Sequence, residues 1–254
     1  MKQIVVNILF LVFLGQYSFA QNAQQDFSKV QVQYHKFDWK QLNTRNSEIY
    51  YYKGGEYLAD VAASYSDAEY LRICELLGFY NFDKIKLLIY LNPAQKSQSN
   101  INKNYYNNPS GGESYYEKNI AEIAYTGTIV NFKKEISKQI AHAVVQQMLN
   151  GRGVKEILRS SYQLKFPEWI TEGLTEYLAK GWSVQLDDYM FSIPTKDKIN
   201  YLNRLKGEEA KLVGQSVWNY MVEGYGPMAI GNTMLVFRTT REIELSISSS
   251  LDIS

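Results

Sequence analysis

The chain has 254 residues, 45 % of them apolar, with one cysteine and five prolines. That is enough to bury a sizeable core in one large domain or two small ones. Counting 27 basic residues less Lys2 leaves 26 against 26 acidic ones, so beyond the first residues the chain is neutral, and no basic excess points to nucleic acid or an anionic membrane.

Residues 1–20 read as a secretory signal peptide. Lys2 gives a positive start, Ile4 to Leu14 is almost wholly apolar, and Ser18-Phe19-Ala20 offers small residues before a cut. The apolar run is too short to span a bilayer comfortably. The expected product begins near Gln21, has no transmembrane segment, and carries no cysteine at the cut for lipidation. The expected location is extracytoplasmic: periplasmic, outer-membrane-associated or secreted. Residues 21–36 form a polar, Gln-rich leader that includes His35, one of only two histidines.

The aromatic and β-branched run Glu48 to Tyr52 predicts a strand. Over residues 56–79, Leu58, Val61, Ala62, Tyr65, Leu71, Cys74 and Leu77 recur with a period near 3.6, which predicts a helix with Cys74 as a buried thiol. Lys84 to Leu91 predicts a second strand, stopped by Asn92-Pro93. Residues 97–112 read as a long polar loop and 119–125 as another strand, at a sheet edge. A helix follows over 129–149. Phe132, Ile136, Ile140, Val144 and Met148 form its apolar stripe, with Glu135, Lys138, Gln139, His142 and Gln146 beside it. Pro167 opens the next helix, which runs to Lys180. There Glu168, Glu172 and Glu176 share one face, and Ile170, Leu174 and Leu178 another. Residues 208–250 predict two or three further helices, broken at Gly224-Tyr225-Gly226-Pro227.

A strand-and-helix half over 37–150, with a small mixed or antiparallel sheet, precedes a helical half over 151–254. The expected class is α+β.

The chemistry concentrates in Lys138-Gln139-Ile140-Ala141-His142 and in Pro167-Glu168-Trp169-Ile170-Thr171-Glu172-Gly173-Leu174-Thr175-Glu176-Tyr177. A helical His-Glu-x-x-His motif places two imidazoles one turn apart, where both reach one zinc ion, and its Glu activates the metal-bound water. Here Lys138 stands at the first His position and Gln139 at the Glu position, while His142 remains. The two blocks have the layout of a zinc peptidase site with two key residues replaced. A lysine could ligate only as a neutral amine, against a reference pKa of about 10.4. The expectation is instead that the Lys138 ammonium faces the Glu172 carboxylate across two packed helices, with His142 beside them.

These blocks, with Phe37-Asp38-Trp39, Gly54-Gly55-Glu56, Ile89-Tyr90-Leu91, Gly111-Gly112-Glu113 and Val213-Gly214-Gln215-Ser216, resemble the peptidase MA-like domain of Bacteroidota envelope proteins. That domain is often found ahead of a TolB-type β-propeller, so the chain resembles a shortened relative. The resemblance implies a gluzincin-like fold. It puts His142 at the second zinc ligand and Glu172 at the third, with Lys138 at the first and Gln139 at the general base. It therefore implies vestigial metal positions, no catalytic residue and no cofactor. The function it points to is a non-catalytic peptidase-like protein with a binding or scaffolding role. Its partner would be a protein or peptide of the envelope, with the secretion or gliding machinery suggested by lineage. The strand at 119–125 offers an edge for an extended peptide. The competing reading is an active zinc peptidase with Lys138 or Gln139 as an atypical third ligand.

Overall fold

Four strands form one sheet in the order β1-β2-β3-β4: Lys40–Asn43, Ser47–Tyr51, Ile85–Tyr90 and Ile120–Ala124. β1 and β2 are antiparallel, whereas β2, β3 and β4 run parallel, so the sheet is mixed. The computed structural model describes residues 37–80, 83–99, 120–150, 166–192 and 202–252. All of these belong to one compact unit, His35–Ser254. The signal and leader segments expected over 1–36, and most of the polar loop expected over 97–112, lie outside the described residues.

Strand side chains alternate between faces. Ile49, Ile85, Leu87, Ile89, Ala121 and Ile123 point into the helical core. Leu88, Tyr90 and Tyr52 point the other way and are covered by Phe37 and Trp39. Phe37 and Trp39 stack at 5.3 Å, and both contact Tyr52 and Tyr90. This aromatic layer closes the far face of the sheet and accounts structurally for Phe37-Asp38-Trp39. Burial and a hydrogen bond to Glu122 push the Tyr90 phenol far above its ordinary pKa.

Eight helices are described: α1 Glu56–Leu77, α2 Pro93–Ser97, α3 Ile129–Asn150, α4 Glu168–Lys180, α5 Val184–Ser192, α6 Gly207–Tyr225, α7 Met228–Thr240 and α8 Ile243–Leu251. None is long and apolar enough to cross a membrane. α1 ends two residues earlier than its periodicity predicts, because Gly78 turns left-handed at φ 60 and Phe79 N–H reaches back to Cys74 O at 3.2 Å. Asn92-Pro93 stops β3 as expected and also starts α2, where the Asn92 side chain accepts from Gln95 N–H. Cys74 is fully buried.

α3 lies against β4, α1 and α4, and α4 lies against α6. Tyr65 on α1 and Ser137 on α3 share a hydrogen bond of 2.7 Å. Arg72 on α1 binds Glu69 and donates to the Leu178 carbonyl at the end of α4. Thus α1 is tied to both helices that carry the zinc-like motif. The tightest approach is between α4 and α6. A Cβ on Gly173 would lie 2.6 Å from Gly214 Cα, and one on Gly214 would lie 2.1 Å from Trp169 O. The two glycines let the helix backbones touch, and Trp169 and Trp218 fill the space beside them at 6.3 Å. Gly173 in the Glu-Gly pair is therefore a packing requirement.

Candidate functional site

α3 presents Glu135, Lys138, Gln139 and His142 along one side, all half-buried. Thr128 starts the helix, its hydroxyl accepting from Asn131 N–H at 3.3 Å. Ile136, Ile140, Val144 and Met148 anchor the opposite side in the core. α4 brings its acidic face to meet this stripe. Glu168 stays at the rim, accepting from Gly207 N–H at 2.7 Å and pairing with Lys206 at 3.2 Å. Glu172 is half-buried, and Glu176 is almost completely buried.

The helix pair converges as the motif predicts, but the ion pair forms one turn further along than expected. Lys138 Nζ lies 2.7 Å from Glu176 Oε1, and Lys180 Nζ lies 2.6 Å from Glu176 Oε2. No ion pair joins Lys138 to Glu172 among the described residues. The deeper carboxylate, with most to lose from being unpaired, takes the ammonium. Glu172 still acts on Lys138 and on His142 through its charge.

The electrostatics follow from burial and these neighbours. Burial works against the charged form of Lys138, but the hydrogen bond and charge of Glu176, aided by Glu135 and Glu172, hold its pKa above the ordinary lysine value. Burial also works against the Glu176 carboxylate, and the two lysines outweigh it, so its pKa lies below the ordinary value. Burial lowers the His142 pKa; Glu172 opposes that shift and Lys138 reinforces it. The result is a buried carboxylate gripped by two lysines, beside an imidazole whose neutral form burial favours.

Gln139 points its amide nitrogen at Glu135 Oε1, 2.8 Å away. An amide accepts no proton in this pH range, so this position offers no general base. Glu135 also borders a pocket of about 310 Å³ lined by Pro93, Lys96, Ala124, Thr126 and Asn131. This pocket lies at the carboxyl end of β4. β4 is the last strand of the sheet among the described residues, in agreement with the expected edge. Tyr125 N–H bonds to Tyr90 O, so alternate residues of β4 turn their backbone groups away from β3. Of those outward groups, the Glu122 carbonyl accepts from Lys96 Nζ at 2.7 Å.

The zinc ion that the motif implies does not fit this donor set. A catalytic zinc takes three His, Cys, Asp or Glu ligands and keeps one position open. Position 138 holds an ammonium with no free lone pair, kept protonated by Glu176. Gln139 is not one of the usual donors. That leaves His142 and Glu172. His35 lies outside the described residues, and among the described residues no group of three His, Cys, Asp or Glu side chains is placed to hold a metal.

Sequence reasoning put Glu176 on the acidic face but missed its pairing with Lys138 and the part of Lys180. A signal for them was present: Glu176 and Lys180 stand at i,i+4 in the orientation that favours a helical ion pair. Compared with known protein families, curated proteins and solved structures, the chain matches none.

Proposed function

We propose that this chain is a secreted or periplasmic peptidase-like protein of the bacterial envelope that works by binding or scaffolding, without hydrolysis. The observation that carries the reading is the Lys138 ammonium at the first ligand position, ion-paired to buried Glu176, next to an amide at the general-base position. Losing the general base alone removes roughly 10²–10⁴-fold in rate. Losing one of two imidazole ligands also removes much of the metal affinity.

A binding role has a surface to work with. The outer edge of β4 and the adjoining pocket present backbone groups, the Lys96 ammonium, the Glu135 carboxylate and the polar side chains of Thr126 and Asn131. An extended segment of an envelope protein, adding to this edge by backbone hydrogen bonds, is the proposed partner. The secretion or gliding machinery of Bacteroidota is the proposed setting, on the resemblance alone.

Hydrolysis of a fluorogenic peptide library, with zinc supplied and with a chelator as control, tests the reading. The expected result is no turnover above the chelated control. Chelator-sensitive turnover by the purified chain establishes the active-peptidase alternative instead.

A further inference from the structure

We infer that the Lys138 ammonium is the internal cation of this site, joining α3 to α4 through Glu176 so that the helix pair is held together without a metal ion. The inference rests on the reading of positions 138–142 as a replaced zinc motif and adds what has taken over the structural task.

Glu176 is 6 % exposed and Lys138 27 % exposed, so this is not a solvated surface pair. A carboxylate so placed must have a cation or give up its charge. Two cations are present, but they do different work. Lys180 sits four residues along the same helix and is 50 % exposed, so its contact stabilises α4 internally. Lys138 comes from the other helix and is the one that spans the gap.

No other group from α3 supplies positive charge there. Among the described residues Lys138 is the one α3 side chain ion-paired to Glu176, and Gln139 is turned toward Glu135. Glu135 and Glu172 add further negative charge around the Lys138 ammonium. From α1, Arg72 is committed to Glu69 and the Leu178 carbonyl. A metal ion bound by side chains of two helices cross-links them. Here one lysine supplies both the charge and the cross-link.

Thermal unfolding of the full mature chain, with EDTA and with excess zinc chloride, tests this in wild type, Lys138→Met, Lys138→Arg and Lys180→Met. The expected wild-type melting temperature is unchanged by either addition. Lys138→Met lowers it by about 2–4 °C or more, the shift that each kcal/mol lost produces in a chain of this size. Lys180→Met lowers it by less than half as much, and Lys138→Arg, which keeps the charge, retains most of the wild-type value. A Lys138→Met chain that fails to fold while Lys138→Arg folds is the same result at its extreme. If Lys138→Met melts like wild type, or Lys138→Arg is as damaging as Lys138→Met, the cation role is overturned and the proposed function stands. If EDTA lowers the wild-type value, or zinc raises it by binding the folded form, a metal holds the helices, and both readings fall.

Discussion

Replacing Gly214 with alanine places a Cβ 2.1 Å from the Trp169 carbonyl oxygen, with the Trp169 Cα at 2.9 Å. The neighbour is backbone, so no side-chain rotation relieves the clash. Reaching an ordinary contact of roughly 3.5 Å requires α4 and α6 to part by about 1.4 Å. Trp169, Ile170, Leu174, Val213 and Trp218 are buried in or beside this seam. Each such side chain contributes about 2 kcal/mol when buried, about 10 kcal/mol together. Parting by only 0.5–1 Å already forfeits roughly a quarter to a half of a contact's attraction, so that share is the least a 1.4 Å separation costs. The loss is therefore roughly 2.5–5 kcal/mol, offset by about 1 kcal/mol from alanine's better helix propensity. Gly214→Ala should destabilise the fold by roughly 1.5–4 kcal/mol, measured by urea unfolding with comparable m-values. Gly224→Ala is the control. Gly224 is exposed near the end of α6 with no atom within 4 Å of its added Cβ. That substitution should be neutral or stabilise by up to about 1 kcal/mol. A Gly214→Ala protein within about 1 kcal/mol of wild type, or a Gly224→Ala protein equally damaged, refutes the close-crossing argument. The seam matters to the site because it sets the depth of α4 and hence the position of Glu176 against α3.

A double-mutant cycle between Lys138→Met and Glu176→Gln should give a coupling of about 1–3 kcal/mol. The same cycle with Glu172→Gln should give less than about 0.5 kcal/mol; the reverse ranking contradicts the pairing. Arg72→Met should cost about 1–3 kcal/mol in urea unfolding, because it strips the Leu178 carbonyl of its donor and leaves buried Glu69 without its guanidinium. Stability should also fall in acid in two stages. The His142 pKa is lowered in the fold, so its contribution is complete above the ordinary histidine value of 6.5 and declines as the pH drops below it. The Glu176 pKa is lowered too, so its contribution declines as the pH drops below the ordinary value of 4.5. The raised Lys138 pKa places loss of the ammonium's contribution above the ordinary value of 10.5. Chemical denaturation midpoints across pH check all three. A flat profile from pH 7 to 5 in wild type, matching that of His142→Gln, removes the histidine stage.

The elements that the sequence made legible are those with strong periodicity and deep burial. α1 shows a 3.6 period because Leu58, Ala62, Ile73, Cys74 and Leu77 all face one core. β3 reads clearly because both of its faces are covered, one by helices and one by the aromatic layer. β1, Lys40–Asn43, left no such signal: it is a short, mostly exposed edge strand with Leu42 as its single apolar residue, held by pairing with β2. α5 was equally silent, since none of its residues is buried. Between α7 and α8 the chain turns at Arg241, a non-glycine residue at φ 62, where neither glycine nor proline marks the break.

At the site, the spacing of positions 138, 142 and 172 announced two converging helices. It did not announce which carboxylate the lysine would reach. Glu172 and Glu176 occupy the same helical face, and the choice between them depends on relative depth, which only packing determines. Gly173 and Gly214 were visible as glycines inside helical patterns, a local penalty that signals a close approach. That they meet each other could be learned only from the crossing of α4 and α6.

In the proposed reading, position 138 holds a protonated amine where a zinc ligand would stand. The most direct measurement is the metal stoichiometry of the folded chain, taken by native mass spectrometry after equilibration with zinc and buffer exchange. The account predicts the metal-free mass for wild type, unchanged in Lys138→Arg. One zinc retained per wild-type chain contradicts it.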